Sequence, residues 1–247
     1  MTMPSNQKTS DFKSSEMVLY IDEDLLIINK PSGLLSIQDG YDHNLPHLRT
    51  ILEPEFGKLW VIHRLDKETS GVVILGRNAE THRYFNQLFQ SREIIKIYHC
   101  LIIGSPSWNN YQANYPLLVN ADRLHRTLVN PLKGKPALTS LSVLERLDEL
   151  TLLECQLFTG YTHQIRAHLF YLGYPILGDS LYCPSKDRKK ASTNYGLNRI
   201  ALHASLISFA HPTKNKELTV TAPYPIDLDL LIKYLRSEPQ PRVSFPD

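Results

Sequence analysis

Four polar residues in this chain have the type and setting to do chemistry: Arg64 and Asp66 in HRLDKETSG (63–71), Tyr98 in KIYHCLIIG (96–104) and Arg166 in THQIRAHLF (162–170). A carboxylate at the end of a strand-like run, just before a turn, can face a cleft as a base or nucleophile. It can equally close a salt-bridged surface loop. Tyr98 stands in a strand among isoleucines, and Arg166 stands on a helix beside an apolar stripe. Taken singly, each also fits a structural part: Asp66 capping a turn, Tyr98 in the core, Arg166 as a surface cation.

The elements that must position them can be read from periodicity. VLYIDEDLLIINK (18–30) reads as two short strands around an acidic turn, and PSGLL (31–35) as a further turn. VIHRL (61–65) reads as a strand, DKETSG as a turn and GVVILGR as a buried strand. Asn78 then suits an N-cap, Glu80 the first helical turn, and the helix runs to about Ser91 with Phe85, Leu88 and Phe89 on one face. Strand alternation over 93–104 puts Lys96 and Tyr98 on one face and Ile95, Ile97 and His99 on the other. Residues 137–147 and 150–158 read as a hairpin around Asp148 and Glu149. HQIRAHLFYLGYP is a short helix with Ile165, Leu169 and Leu172 as its stripe, and His163 and Arg166 share another face. Gly173 and Pro175 end it, and strands over 199–211 and 217–223 follow. Strands joined mostly by tight turns, with few helices, give an α+β fold whose sheet is largely antiparallel rather than doubly wound. Residues 1–16 and the Pro-rich end from 236 read as loose tails, leaving one domain over 17–235.

Composition removes several classes of function. The chain has 247 residues, 42% hydrophobic and 21% charged, with net charge +2, so any nucleic-acid-binding surface must be local. The three cysteines are dispersed without a CxxC pair, HExxH is absent, and His163 and His168 are five apart; no metal site is expected. There is no GxxxxGK[ST], GxGxxG or GxSxG. The N-terminal stretch lacks a secretory apolar core, and no apolar run approaches the ~20 residues that span a bilayer, so a cytoplasmic protein is expected.

Taken together the motifs resemble one family. HRLDKETSG matches the HRLDxxTSG motif of the RluA-type pseudouridine synthases, and NKPSGLLS (29–36) resembles their first motif. KIYHCLIIG resembles their KxYxAxxxG strand, and GYTHQIRAHLFYLGYPILGDSLY (160–182) resembles the segment ending in GxPIxGDxxY. LHASLISFAHP (202–212) and TAPYP (221–225) resemble the closing segment, so the likeness spans roughly residues 18–225 in order. Tyr161 stands where the family usually has Arg or Lys. The motifs start near residue 18, which implies the short members without an S4-type RNA-binding domain.

The resemblance implies the pseudouridine synthase catalytic fold, a mixed sheet with flanking helices around a central cleft. It implies an enzyme that breaks the C1′–N1 bond of a uridine in RNA, turns the uracil over and forms a C1′–C5 bond, consuming nothing and needing no cofactor. Asp66 would be the catalytic carboxylate, attacking C1′ or taking the C2′ proton; both routes stay open. A carboxylate kept charged in a closed pocket needs a fixed cation, for which Arg166 is the candidate. Tyr98 would stack on the uracil, and Arg64 would fill the space left by the extruded base. His63, Thr69, Lys96, His163 and Gln164 are expected to touch RNA. The basic stretches 183–199, with Lys189 and Lys190, and 122–135 are expected to meet phosphates or to be solvated loops. The implied partner is ribosomal RNA, transfer RNA or both, with no DNA or membrane, and a monomer suffices. Two rivals remain at this level: an RNA-binding protein that has lost the chemistry, and a nucleoside glycosidase, for which Asp66 lacks an obvious second carboxylate. A metal-dependent hydrolase is the weakest reading.

Overall fold

Seven consecutive buried residues, Ser70–Gly76, make a strand that must lie inside a sheet covered on both faces. The computed structural model describes residues 12–183 and 195–237, and these fall into two compact units. The first comprises the described residues up to Lys96 together with Ala204–Pro223; the second runs from Ile97 to His203 and resumes at Tyr224.

In the first unit a one-turn helix α1 (Ser14–Met17) leads into β1 (Val18–Ile21) and β2 (Leu25–Lys30). Then come α2 (Leu48–Phe56), β3 (Trp60–Val61), β4 (Ser70–Gly76) and α3 (Ala79–Ser91). β11 (Leu202–Ala210) and β12 (Glu217–Thr221) return to it. The strand order is β1-β2-β4-β11, with β12 on β11 and β3 on β4. β2 and β4 are antiparallel from Leu25↔Gly76 to Lys30↔Gly71, which brings Lys30 to the entrance of β4. Asn78 caps α3 by accepting the Thr81 amide hydrogen at 2.8 Å. Phe85 of that helix meets Phe209 edge-on at 4.8 Å, in a core that includes Leu25, Val72, Ile74 and Leu88. Gly71 has φ +118°, and a Cβ there would lie 2.2 Å from the carbonyl oxygen of Ala204. Only glycine lets β4 start this close to β11.

In the second unit β5 (Ile95–Ile103), which the chain enters from the first, is followed by β6 (Asn110–Asn114) and a two-stranded ribbon, β7 (Leu117–Leu118) and β8 (Leu128–Val129). β9 (Leu138–Leu147) and β10 (Leu150–Leu157) form the hairpin, turned by Asp148 at φ +54°. The order is β5-β10-β9-β6, antiparallel throughout. Helices α4 (Gln164–Tyr171) and α5 (Ile226–Ser237) complete the unit. Ile165 and Leu169 of α4 and Leu228, Leu231, Ile232 and Leu235 of α5 share one core with Leu101, Leu141 and Leu153.

The α+β reading with a largely antiparallel mixed sheet holds. The strand expected over 61–65 departs most from its sequence reading. β3 pairs with β4 only at Trp60↔Gly76 and Val61↔Leu75, and the rest of VIHRL is loop. The reason is local: the Ile74 amide, which would continue the ladder, donates to the imidazole Nε2 of His63 at 3.1 Å instead. Helices α2 and α5 were not among the elements read from the sequence, and α1 orders the last residues of the expected N-terminal tail. Among the described residues no helix is long and apolar enough to cross a membrane.

Candidate active site

The loop between β3 and β4 sorts its residues by side. Leu65 is buried, Arg64 is exposed, Asp66 is half-buried, and Lys67 and Glu68 are exposed. A loop can hold such a pattern only if its backbone is tied down. Here the ties come from residues 30–36. The fully buried ammonium of Lys30 donates to the carbonyls of Pro31 (2.9 Å), Leu34 (2.8 Å) and Lys67 (3.1 Å). Three acceptors match the three donors of an ammonium, which makes its burial tolerable. The Gly33 amide also donates to the Lys67 carbonyl at 2.8 Å, and the Ser32 hydroxyl to that of Glu68 at 2.8 Å. The Thr69 amide closes the turn onto the Asp66 carbonyl at 3.1 Å. NKPSGLLS is therefore a cradle for the loop that carries Asp66.

His63 braces the same loop from the other end. Its ring lies 5.5 Å from that of Phe89. Burial first, and the charge of Lys96 second, push its pKa down to about 3. It is neutral, with Nε2 as the acceptor for Ile74, so the proton sits on Nδ1. His63, expected to touch RNA, is half-buried and uncharged there, so it brings no cation to such a contact. Thr69, only 2% exposed, is likewise a turn residue rather than a contact surface. Lys96 keeps the surface role open. It is half-buried, its ammonium sits 5.6 Å from the centre of the Phe89 ring, and burial, then the charge of Arg92, lower its pKa.

The His63 shift has a consequence for stability. The folded state holds the imidazole neutral down to about pH 3, whereas an unfolded histidine takes a proton near its ordinary 6.5. The unfolded chain then binds the extra proton, so stability is present above 6.5 and is lost as pH falls from there toward 3. The cost is at most about 1.4 kcal/mol per pH unit in that window. Urea unfolding at pH 7 and pH 5 should show it, and His63→Gln should flatten the difference.

In the second unit Tyr98 lies on β5, half-buried and directly opposite Cys155 of β10. Arg166, on the first turn of α4, makes a two-pronged ion pair with Asp179: Nε to Oδ2 at 2.7 Å and an Nη to Oδ1 at 2.9 Å. Its guanidinium also lies 5.0 Å from the centre of the Tyr182 ring. Asp179 Oδ1 accepts the amides of Leu181 and Tyr182 as well, at 2.9 and 3.0 Å. The Tyr182 hydroxyl bridges both backbone groups of Thr127 and reaches His163 Nδ1 at 3.2 Å. His163 is the N-cap of α4 in the left-handed region, φ +58°. Gln164 is 2% exposed. Its carbonyl accepts from Thr159 and Tyr161, and its amide donates to Leu138 and Thr139. An amide with all four hydrogen bonds spent inside the protein has none for RNA, which corrects the expectation for Gln164.

Lys30, Ser32, Ser36, Asp179 and Tyr182 were not singled out by sequence reasoning. All five stand inside motifs already quoted, NKPSGLLS and GDSLY, and a search for partners to the buried charge of Arg166 would have reached Asp179. Of the basic stretches, 122–135 has Arg126 paired to Asp122 at 2.7 Å, with Arg123, Lys133 and Lys135 exposed. Lys189 and Lys190 lie outside the described residues. Elsewhere in the first unit Asp22, Asp24 and His211 place ligand-type atoms within 4.8 Å of one another. Lys214 already sits on Asp22 at 2.5 Å, so the chain itself supplies the positive charge there.

Comparison with known proteins supplies the context. The family model described as RNA pseudouridylate synthase matches residues 24–170. The chain is 33% identical over 243 residues to ribosomal large subunit pseudouridine synthase C of Vibrio vulnificus, covering 96% of this chain and 74% of that protein. It is 33% identical over 228 residues to ribosomal large subunit pseudouridine synthase D of Buchnera aphidicola, covering 87% and 72%. Among solved structures, human RNA pseudouridylate synthase domain containing 1 superposes with a TM-score of 0.72 at 26% identity, covering 91% of this chain and 96% of that one.

Proposed function

The chain belongs to the RNA pseudouridine synthase family and is an isomerase that converts uridine in RNA to pseudouridine; on that premise we propose that Asp66 is its catalytic carboxylate and ribosomal RNA its substrate. The observation that carries the assignment of Asp66 is the cradle: residues 30–36 spend a buried ammonium, a backbone amide and serine hydroxyls on holding one turn, and Asp66 is the half-buried acid in it. Ribosomal RNA is favoured because relatives covering most of this chain are named for the large ribosomal subunit.

In this reading the target nucleotide leaves its stack at a cost of a few kcal/mol. Arg64, exposed beside Asp66, fills the gap, and Tyr98 stacks on the uracil, an interaction worth about 1–3 kcal/mol. The Asp66 carboxylate attacks C1′ or removes the C2′ proton, and the C1′–N1 bond breaks. The uracil turns and C5 bonds to C1′, either as the Asp66–C1′ bond breaks or as Asp66 returns its proton to C2′; the C5 proton then leaves and N1 ends protonated. Arg166 supplies positive charge from a guanidinium whose direction the Asp179 clamp fixes. Lys96 meets a backbone phosphate.

The test is tritium release from RNA labelled at uridine C5, using purified protein on ribosomal and transfer RNA from cells lacking this gene. Release from ribosomal RNA alone supports the substrate assignment. Release from transfer RNA alone replaces it, and free uracil would signal a glycosidase. For Lys96 the readout is salt dependence. Lys96→Ala should make log K against log salt shallower by about 0.7–0.9, the share of one phosphate; an unchanged slope removes Lys96 from the interface.

A further inference from the structure

We propose that Ser36 is a positioning residue that aims Asp66 and Arg64, acting through a two-way hydrogen bond to the backbone of Leu65. The inference rests on the assignment of Asp66 above. The Ser36 hydroxyl accepts the Leu65 amide hydrogen at 3.0 Å and donates to the Leu65 carbonyl at 2.8 Å. One hydroxyl has a donor and two lone pairs, so both bonds form together. Ser36 is only 4% exposed, so water does not substitute readily for either.

The geometry decides what these bonds control. Peptide units are planar, so a hydrogen bond to one atom orients the whole plane. The Leu65 amide belongs to the plane that leaves Arg64, and the Leu65 carbonyl to the plane that enters Asp66. The plane leaving Asp66 is held by the Thr69 amide on the Asp66 carbonyl at 3.1 Å. With the planes on both sides of its Cα held, the Asp66 side chain departs in a fixed direction. The buried Leu65 side chain, 7% exposed, is a further tether. Ser36 itself stands on a firm base. Its neighbour Leu35 bridges to His47, and the Leu48 amide at the start of α2 donates to the Leu35 carbonyl at 2.9 Å.

Catalysis is sensitive to such aiming, since a misplacement near 1 Å can cost about 100-fold. The experiment compares native protein, Ser36→Ala, Ser36→Cys, Ser36→Thr and Asp66→Asn in three measurements: RNA affinity, single-turnover tritium release at saturating protein, and amide hydrogen exchange over residues 64–69. Ser36→Ala and Ser36→Cys should keep RNA affinity within about threefold and lose ~10–100-fold in single-turnover rate. The Leu65 amide should lose protection in both. Cysteine fills nearly the same space but bonds weakly, so its failure separates hydrogen bonding from packing. Ser36→Thr, which keeps the hydroxyl, should restore most of the rate and the protection. An unchanged rate in Ser36→Ala, or a loss matching only its unfolded fraction, would overturn the proposal. So would full protection of Leu65 without the hydroxyl. Activity retained by Asp66→Asn would sink the assignment of Asp66 and the aiming with it, and the exchange data would still report separately whether Ser36 holds Leu65.

Discussion

Asp66→Asn is expected to end tritium release from C5-labelled RNA, with a loss of at least ~1,000-fold in single-turnover rate. The substitution replaces one oxygen by an NH2 of similar size, so the loop should not need to rebuild. The bonds that shape it run through backbone atoms of Leu65, Asp66, Lys67 and Glu68, and these are unchanged. What disappears is the negative charge and the nucleophilic oxygen. An amide neither attacks C1′ usefully nor takes a proton at neutral pH, so both routes left open for Asp66 fail alike. RNA affinity should persist, because the exposed Arg64 and the half-buried Lys96 remain. A variant that binds RNA and does no chemistry would confirm the carboxylate. A variant that isomerises at the native rate would move the catalytic role elsewhere.

The second large effect concerns Asp179. The Arg166–Asp179 side chains are 11% and 0% exposed, so the pair is buried on both sides. Asp179→Ala takes away the two-pronged acceptor of the Arg166 guanidinium, and it removes the acceptor for the Leu181 and Tyr182 amides. Removing one partner of a buried pair typically costs about 3–5 kcal/mol. Asp179→Asn should cost less, because a carbonyl oxygen remains for part of the fork. Urea unfolding of the three proteins at pH 7 gives the ranking directly. Equal midpoints for the native protein and Asp179→Ala would mean that Arg166 is balanced without Asp179. Arg166→Lys would then be the informative companion, since an ammonium cannot reproduce the two-pronged grip.

The local parts of the fold were readable wherever one short-range cause decides the outcome. Asn78, Glu80 and the apolar spacing after them place α3 at its observed limits, because capping and periodicity are properties of neighbouring residues. The β9–β10 hairpin follows from two apolar runs around Asp148, which takes the left-handed turn conformation. Where causes compete, the reading faltered. LRTILEPEF carries Pro54 inside a helix, and IDLDLLIKYLRS begins after two prolines, and proline is a signal that competes with a helical pattern. VIHRL has the composition of a strand, yet its ladder stops because a histidine side chain takes the partner amide.

The sequence by itself determined the family and the α+β class, because motif order and residue type survive without coordinates. Only the tertiary structure decided which polar residues in those motifs face outward and which are spent inside. His63, Thr69 and Gln164 share motifs with Arg64, Asp66 and Arg166, yet the imidazole of His63 accepts the Ile74 amide, Thr69 is buried in the turn and Gln164 spends its side chain on four interior partners, while Arg64 stays exposed and Asp66 half-buried. The physical reason is that a buried polar group must find its hydrogen bonds within the protein. Those partners, such as Leu138 for Gln164 or Leu34 and Lys67 for Lys30, are fixed by the folded chain and not by neighbours in sequence.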